Sequence, residues 1–226
     1  MPLSRDAVVS PGAPPRARRR GRPPLRESLD GKSTRDRLLD AAAELFARKG
    51  YDATSVDAIA ERAGLTVGAL YRHFSGKGEL LLDVMRHALT ALPIAHHMRG
   101  DRGRAELLPE MVALYIAPSA RQLRQITVEL HRVASRDRRV GRMLREFSER
   151  MARDTRTRIE TGRAQGMIVA DHDADLAARL LMVLIAGLTH LDTLYPQLAG
   201  DAAWRDLVQK TVRWLLGIET PPGRRS

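Results

Sequence analysis

TSVDAIAERAGLTVGALYRHF, residues 54–74, is the stretch whose reading decides the fold. Two short apolar-periodic segments flank one glycine. In the first, Val56, Ile59, Ala60 and Ala63 recur at i, i+3, i+4 and i+7, the spacing of a single helical face. Thr54 and Ser55 precede it as N-cap candidates, and Gly64 stops it. Thr66 caps the second segment, in which Leu70 and Phe74 share a face. Two short helices joined by a glycine-containing turn form a helix-turn-helix. In that motif the second helix enters the DNA major groove and the first crosses the backbone.

The polar residues suit that geometry. Thr54, Ser55 and Thr66 place hydroxyls and free backbone N–H groups at helix N-termini, where phosphates bind. Val67, Gly68 and Tyr71 project away from the face of Leu70 and Phe74. A glycine inside a helix costs about 1 kcal/mol relative to alanine, and close approach to a groove floor is one reason to keep Gly68. Val67 suits a thymine methyl, and Tyr71 suits a base edge or a phosphate, with ordinary packing as the alternative. Arg72 and His73 add donors, although His73 also fits as a plug at the helix junction. Lys77, in the first turn of the next helix, opposes that helix's macrodipole, a conflict a neighbouring phosphate resolves.

Working outward, KSTRDRLLDAAAELFARKG (32–50) reads as a helix with a capping-box spacing from Ser33 to Asp36 and a stop at Gly50. SGKGELLLDVMRHAL (75–89) opens a longer helix. Further helices are predicted over roughly 103–117, 119–135, 137–165, 173–195 and 202–217. A linker lies over 93–102, and Pro118, Gly166, ADHD (170–173) and YPQLAGD (195–201) act as breakers. No long segment alternates with period two, so the fold class is all-α. A helix-turn-helix head spans 33–80, a larger helical domain spans 81–220, and a disordered tail spans 221–226.

Composition points the same way. A net charge of +11 and a pI near 11.0 call for anionic partners, nucleic acid first. Residues 1–33 hold eight basic side chains against three acidic ones, and residues 1–32 hold six of the twelve prolines. This reads as a disordered basic arm. Within it RGRP (20–23) resembles the core of an AT-hook, which places Arg20 and Arg22 in a narrow A·T minor groove; a solvated tail is the alternative. There is no cysteine, so disulfides and thiolate chemistry are excluded. The longest apolar run, LLMVLIAGL (180–188), is nine residues, and a membrane span needs about twenty. With no h-region at the start either, the chain is placed in the cytoplasm with no membrane partner.

LLDAAAELFARKGYDATS (38–55), AGLTVGALYRHF (63–74) and KGELL (77–81) together resemble the DNA-binding segment of the tetracycline-repressor (TetR) family, over about residues 34–85. The resemblance implies groove-facing positions for Thr66, Val67, Gly68, Ala69 and Tyr71, and phosphate contacts from Thr34, Thr54, Ser55, His73 and Lys77. Val67 and Ala69 are small and apolar where many members are polar, which implies thin direct base readout. Beyond residue 100 the resemblance is one of architecture, a helical domain that dimerises and binds an effector.

Two helices suit the dimer. DLAARLLMVLIAGLTHLDTL (175–194) is apolar nearly all round, offering Leu180, Leu184, Leu188 and Leu191 to a partner. Trp204, Leu207 and Trp214 on the last helix complete the interface; a monomeric core is the alternative. For a small-molecule effector the candidates are the stripe Met143, Phe147 and Met151, the pair Met111 and Tyr115, and the facing Met182 and His190, all of which also fit an ordinary core. His96-His97 and DHD (171–173) lack metal-site spacing, and no nucleophile–base arrangement or phosphate loop appears, so neither metal, cofactor nor enzymatic activity is expected. The reading is a homodimer on double-stranded DNA, a repressor released from a palindromic operator by a small molecule. The alternatives are a constitutive or architectural DNA-binding protein and a transcriptional activator.

Overall fold

The computed structural model describes residues 31–90 and 105–218. Arg20, Arg22, the linker over 93–102 with His96-His97, and the tail 221–226 lie outside the described residues.

Among the described residues all regular structure is helical, and its limits follow from local chemistry. α1 (Thr34–Lys49) starts where the Ser33 side chain accepts the Asp36 N–H and ends at Gly50 with φ 78°. α2 (Val56–Arg62) is capped by Ser55, and α3 (Val67–His73) by Thr66, whose hydroxyl accepts the Ala69 N–H. Between them Gly64 takes φ 66°, a conformation that disfavours residues with a Cβ. α4 (Lys77–Thr90) follows. The head boundary expected near residue 80 therefore falls inside α4.

The predicted helix over 103–117 is shorter than expected. A 3₁₀ turn at Ala105–Leu107 leads into α5 (Leu108–Leu114), with Pro109 in its first turn, where a missing N–H is harmless. α6 (Arg121–Ala134) and α7 (Arg138–Ala164) come next; α7 has 27 residues and so runs for about 40 Å. The helix predicted over 173–195 divides at Thr189 and His190 into α8 (Ala174–Leu188) and a single turn, α9 (Leu191–Leu194). The break brings Asp192 to α6. There the fully buried Arg124 donates from Nε and Nη2 to the Asp192 carboxylate at 2.7 and 3.0 Å. Its Nη1 donates to the carbonyls of Tyr115 and Ala117 at 2.5 and 2.9 Å. α10 (Ala202–Leu216) closes the fold, capped by the Asp201 side chain.

Two hydrophobic clusters hold these helices. The first joins Leu38, Phe46, Ile59 and Leu70 of α1–α3, and Phe74 just after α3, to Leu81 of α4, Ile126 and Leu130 of α6, and Val140 of α7. Head and body therefore share one core. The second joins Val112 of α5, Ile159 of α7, Leu181 of α8 and Val212 of α10.

Candidate nucleic-acid interface

The helix-turn-helix is held from below. Arg37 of α1 donates to the Ala63 carbonyl at 2.6 Å, tying down the turn at the end of α2. Arg62 of α2 pairs with Glu44 of α1 at 2.5 Å. Arg35 lies over the Phe74 ring, 5.4 Å from its centroid, and pairs with Asp83 of α4 at 2.8 Å, so α1 also secures the end of α3. Leu70 and Phe74 are buried beneath, which leaves α3 one free face.

That face carries Thr66, Gly68, Tyr71, Arg72 and His73, all exposed, with Val67 half-buried at its edge. Tyr71 is 57% exposed, a large aromatic left mostly to solvent. A Cβ on Gly68 would meet only the Thr66 hydroxyl, at 3.9 Å, so nothing among the described residues requires glycine there. α3 contains no acidic residue. Ser55 is exposed and Thr34 half-exposed at the N-termini of α2 and α1.

Three of the residues assigned to DNA are otherwise occupied. Ala69 is 4% exposed, its methyl turned into the core because it lies on the Leu70 side of α3, so it does not face a groove. Thr54 is 1% exposed; its hydroxyl donates to the Gly50 carbonyl at 2.7 Å, with the Leu45 carbonyl 3.3 Å away, and it is closed to phosphate. Lys77 Nζ donates to the carbonyls of Tyr51 and Thr54 at 2.8 and 3.0 Å and lies 4.2 Å from the Tyr51 ring centroid. The conflict between Lys77 and the α4 dipole is thus met by two carbonyls and an aromatic face. Burial pushes its pKa down, opposed by Asp52 and Glu129.

The loop over 50–54 also meets the body. Glu129 of α6 accepts the Tyr51 N–H at 2.5 Å and pairs with Arg132 at 2.5 Å. Asp52 pairs with Arg136 at 2.6 Å and with Arg132 at 3.1 Å. The Arg132 hydrogen bond, aided by the Tyr51 N–H, holds the Glu129 carboxyl below its ordinary pKa, and Arg136 and then Arg132 do the same for Asp52. No sequence signal marked these residues, because the partners lie 78, 80 and 84 positions apart in the chain.

On the body, Leu180, Leu184, Leu207 and Trp214 are exposed, Trp214 to 81%, while Leu188 and Trp204 are half-buried. Leu191 is 4% exposed, taken inward by the break before α9, and is not available to a partner. An apolar cleft of ≈ 360 Å³ runs between α8 and α10, lined by Val183, Leu184, Trp204, Leu207 and Val208, with Val112 of α5 beneath. The residues expected to line an effector pocket are distributed over two adjoining hydrophobic clusters. Tyr115, Met143 and Phe147 belong to the first cluster, Met111 and Met182 flank the second, Met151 is half-buried and His190 is exposed. None of the seven lines the cleft. Among the described residues no group of three His, Asp or Glu is placed to hold a metal ion, and no helix is long and apolar enough to cross a membrane.

Comparison with known proteins bears on this geometry. Residues 38–84 match the bacterial regulatory proteins, tetR family. The HTH-type transcriptional regulator TtgW of Pseudomonas putida is 33% identical over 104 residues, covering 45% of this chain and 77% of that protein. The HTH-type transcriptional repressor KstR2 of Rhodococcus jostii is 44% identical over 71 residues, 31% of this chain; the match spans only 35% of that repressor's length. Among solved structures, Salmonella enterica GusR superposes with a TM-score of 0.64 at 27% identity, covering 81% of this chain and 95% of its own.

Proposed function

The chain belongs to the tetR family of bacterial regulatory proteins, and on that premise we propose that it is a dimeric cytoplasmic repressor released from a palindromic operator by a small molecule. The observation that carries the reading is the free face of α3. Tyr71, Gly68 and Thr66 are exposed, acid-free and unneeded by the core, on a helix fixed rigidly from the other side. In this reading Thr66, Val67, Gly68 and Tyr71 enter the major groove. Thr34, Ser55, Arg72 and His73 meet the flanking phosphates, and Arg20 and Arg22 of the arm reach the adjacent minor groove.

The partner is a second copy of the chain. Leu180, Leu184, Leu207 and Trp214 form an exposed apolar strip of the kind that marks an interface on a soluble protein. Packing α8 and α10 against their symmetry mates covers the cleft and sets two α3 helices about one DNA turn apart, roughly 34–36 Å. The effector binds the body, where the adaptable Met111 and Met182 flank the second core. Repression rather than activation is read from the likeness of the head to the repressor KstR2. The chain regulates and does not catalyse.

The test is genome-wide mapping of bound sites, followed by binding of purified protein to the mapped duplexes. Enriched inverted repeats, bound by a dimer, are the expected result. An absence of sites above non-specific background would overturn the reading.

A further inference from the structure

The corner between α6 and α7 is docked onto the end of the recognition helix. A Cβ on Gly78, in the first turn of α4, would lie 2.6 Å from Val140 Cγ2, so α7 starts in close contact with the head. One residue earlier, Arg139 Nη2 donates to Ser75 Oγ at 2.8 Å. Ser75 directly follows Phe74, the C-cap of α3.

The arginines of this corner fall into two groups. Arg132 and Arg136 spend their charge on Glu129 and Asp52. Arg138 and Arg142 are exposed and have no ion-pair partner among the described residues, and Arg139 bonds only the Ser75 hydroxyl. Two of the nearby acids are committed to other groups, whereas Glu146 lies one turn along α7 from Arg142, in the same charged groove. Asp137 caps α7 by accepting the Arg139 and Val140 N–H groups, and Glu79 is held by Ser75. The first eight residues of α7, 138–145, contain four arginines and no acid. Cations there oppose the helix macrodipole.

A solvated charged face is the ordinary explanation of such a run. Further along α7, Glu149 pairs with Arg179 and Arg156 with Glu160, while Arg145, Arg150 and Arg153 are exposed without an ion pair among the described residues. What sets the first turn apart is its contact with the end of α3. From that contact and the acid-free run 138–145, we infer that Arg138, Arg139 and Arg142 form a phosphate-binding extension of the DNA interface. They grip the sugar-phosphate backbone beside the groove that α3 enters. The inference rests on the DNA-reading role of α3. It adds affinity without sequence information, as backbone contacts do.

The experiment compares the full-length chain with R138Q/R139Q/R142Q on a mapped site and on a scrambled duplex, by fluorescence anisotropy across a KCl series. Each phosphate contact contributes about 0.9 to the slope of log affinity against log salt. The expected slope for the triple variant is shallower by about 2–3, with equal weakening on both duplexes and an unchanged melting curve. An unchanged slope in a variant that melts like the parent overturns the inference. If the triple variant does not fold, R138Q alone carries the test: a fall of about 0.9 supports it, and no fall overturns it. Y71A, run in parallel, separates the two readings. A lost preference for the mapped site upholds the role of α3 even where the corner arginines prove inert, whereas a parent chain with no preference between duplexes overturns both.

Discussion

Thr54 separates a buried structural hydroxyl from a phosphate ligand, and T54V tests which it is. Valine keeps the shape of threonine and removes only the hydroxyl. The structure puts that hydroxyl at 1% exposure, donating to the Gly50 carbonyl at 2.7 Å in the loop that leads from α1 to α2. Removing the donor leaves a buried acceptor without its partner, which costs about 1–3 kcal/mol. At about 2–4 °C per kcal/mol for a chain of this size, a loss of about 1.5 kcal/mol lowers the melting temperature by about 3–6 °C. Melting is followed by circular dichroism at equal protein concentrations, because the transition of the proposed dimer would depend on concentration. Operator binding is then measured, where folded T54V should keep the parent affinity. An unchanged melting temperature with weakened operator binding would refute the argument and return Thr54 to the phosphate contacts. T54S, which keeps the hydroxyl, should retain more of the stability than T54V.

The remaining predictions concern the body. R124M removes a fully buried guanidinium that bonds Asp192 and two carbonyls, and breaking such a pair costs about 3–5 kcal/mol, to be read by urea unfolding. The Arg124 hydrogen bonds hold the Asp192 carboxyl below its ordinary pKa. Its stabilising contribution is therefore complete above the unfolded value of about 3.9 and is lost as pH falls through the lower folded value, so D192N should flatten the acid limb of the stability–pH curve. L207E places a charge on the exposed strip of α8 and α10; it should yield a monomer by light scattering and weaken operator binding by about 10²-fold or more as the second head is lost. G162A pushes a Cβ to 2.6 Å from that of Ala105 and to 3.1 Å from Ile168, an overpacking that costs about 1–3 kcal/mol in the same unfolding assay.

Local chemistry made the head legible in advance. Ser33, Ser55 and Thr66 cap their helices, Gly50 and Gly64 end or turn them, and Leu70 and Phe74 point inward, because each of these choices is made within four residues of chain. The helical character of the body was legible for the same reason, as was the apolar strip on α8 and α10. Helix face and cap position still misplaced single residues. Thr54 and Ala69 belong to the recognition motif by their position in it, yet both are buried: the Thr54 hydroxyl turns back to the Gly50 carbonyl, and Ala69 lies on the Leu70 side of α3.

What tertiary structure alone decided lies between elements far apart in the chain. Asp192 finds Arg124 across 68 positions, and that pair accompanies the break in a helix whose apolar pattern runs on unbroken. The methionine and aromatic stripes have the same periodicity whether they line a pocket or a core, and packing set Tyr115, Met143 and Phe147 with the first cluster and Met111 and Met182 beside the second. Lys77 reads as a cation awaiting phosphate until the Tyr51 and Thr54 carbonyls close on it. The sequence by itself determined which elements form and which faces are apolar, because hydrogen bonds along a helix and the spacing of its side chains are local quantities. Which polar groups remain free to meet DNA depended on partners the chain brings back from 23 to 84 positions away, and only the folded chain names them.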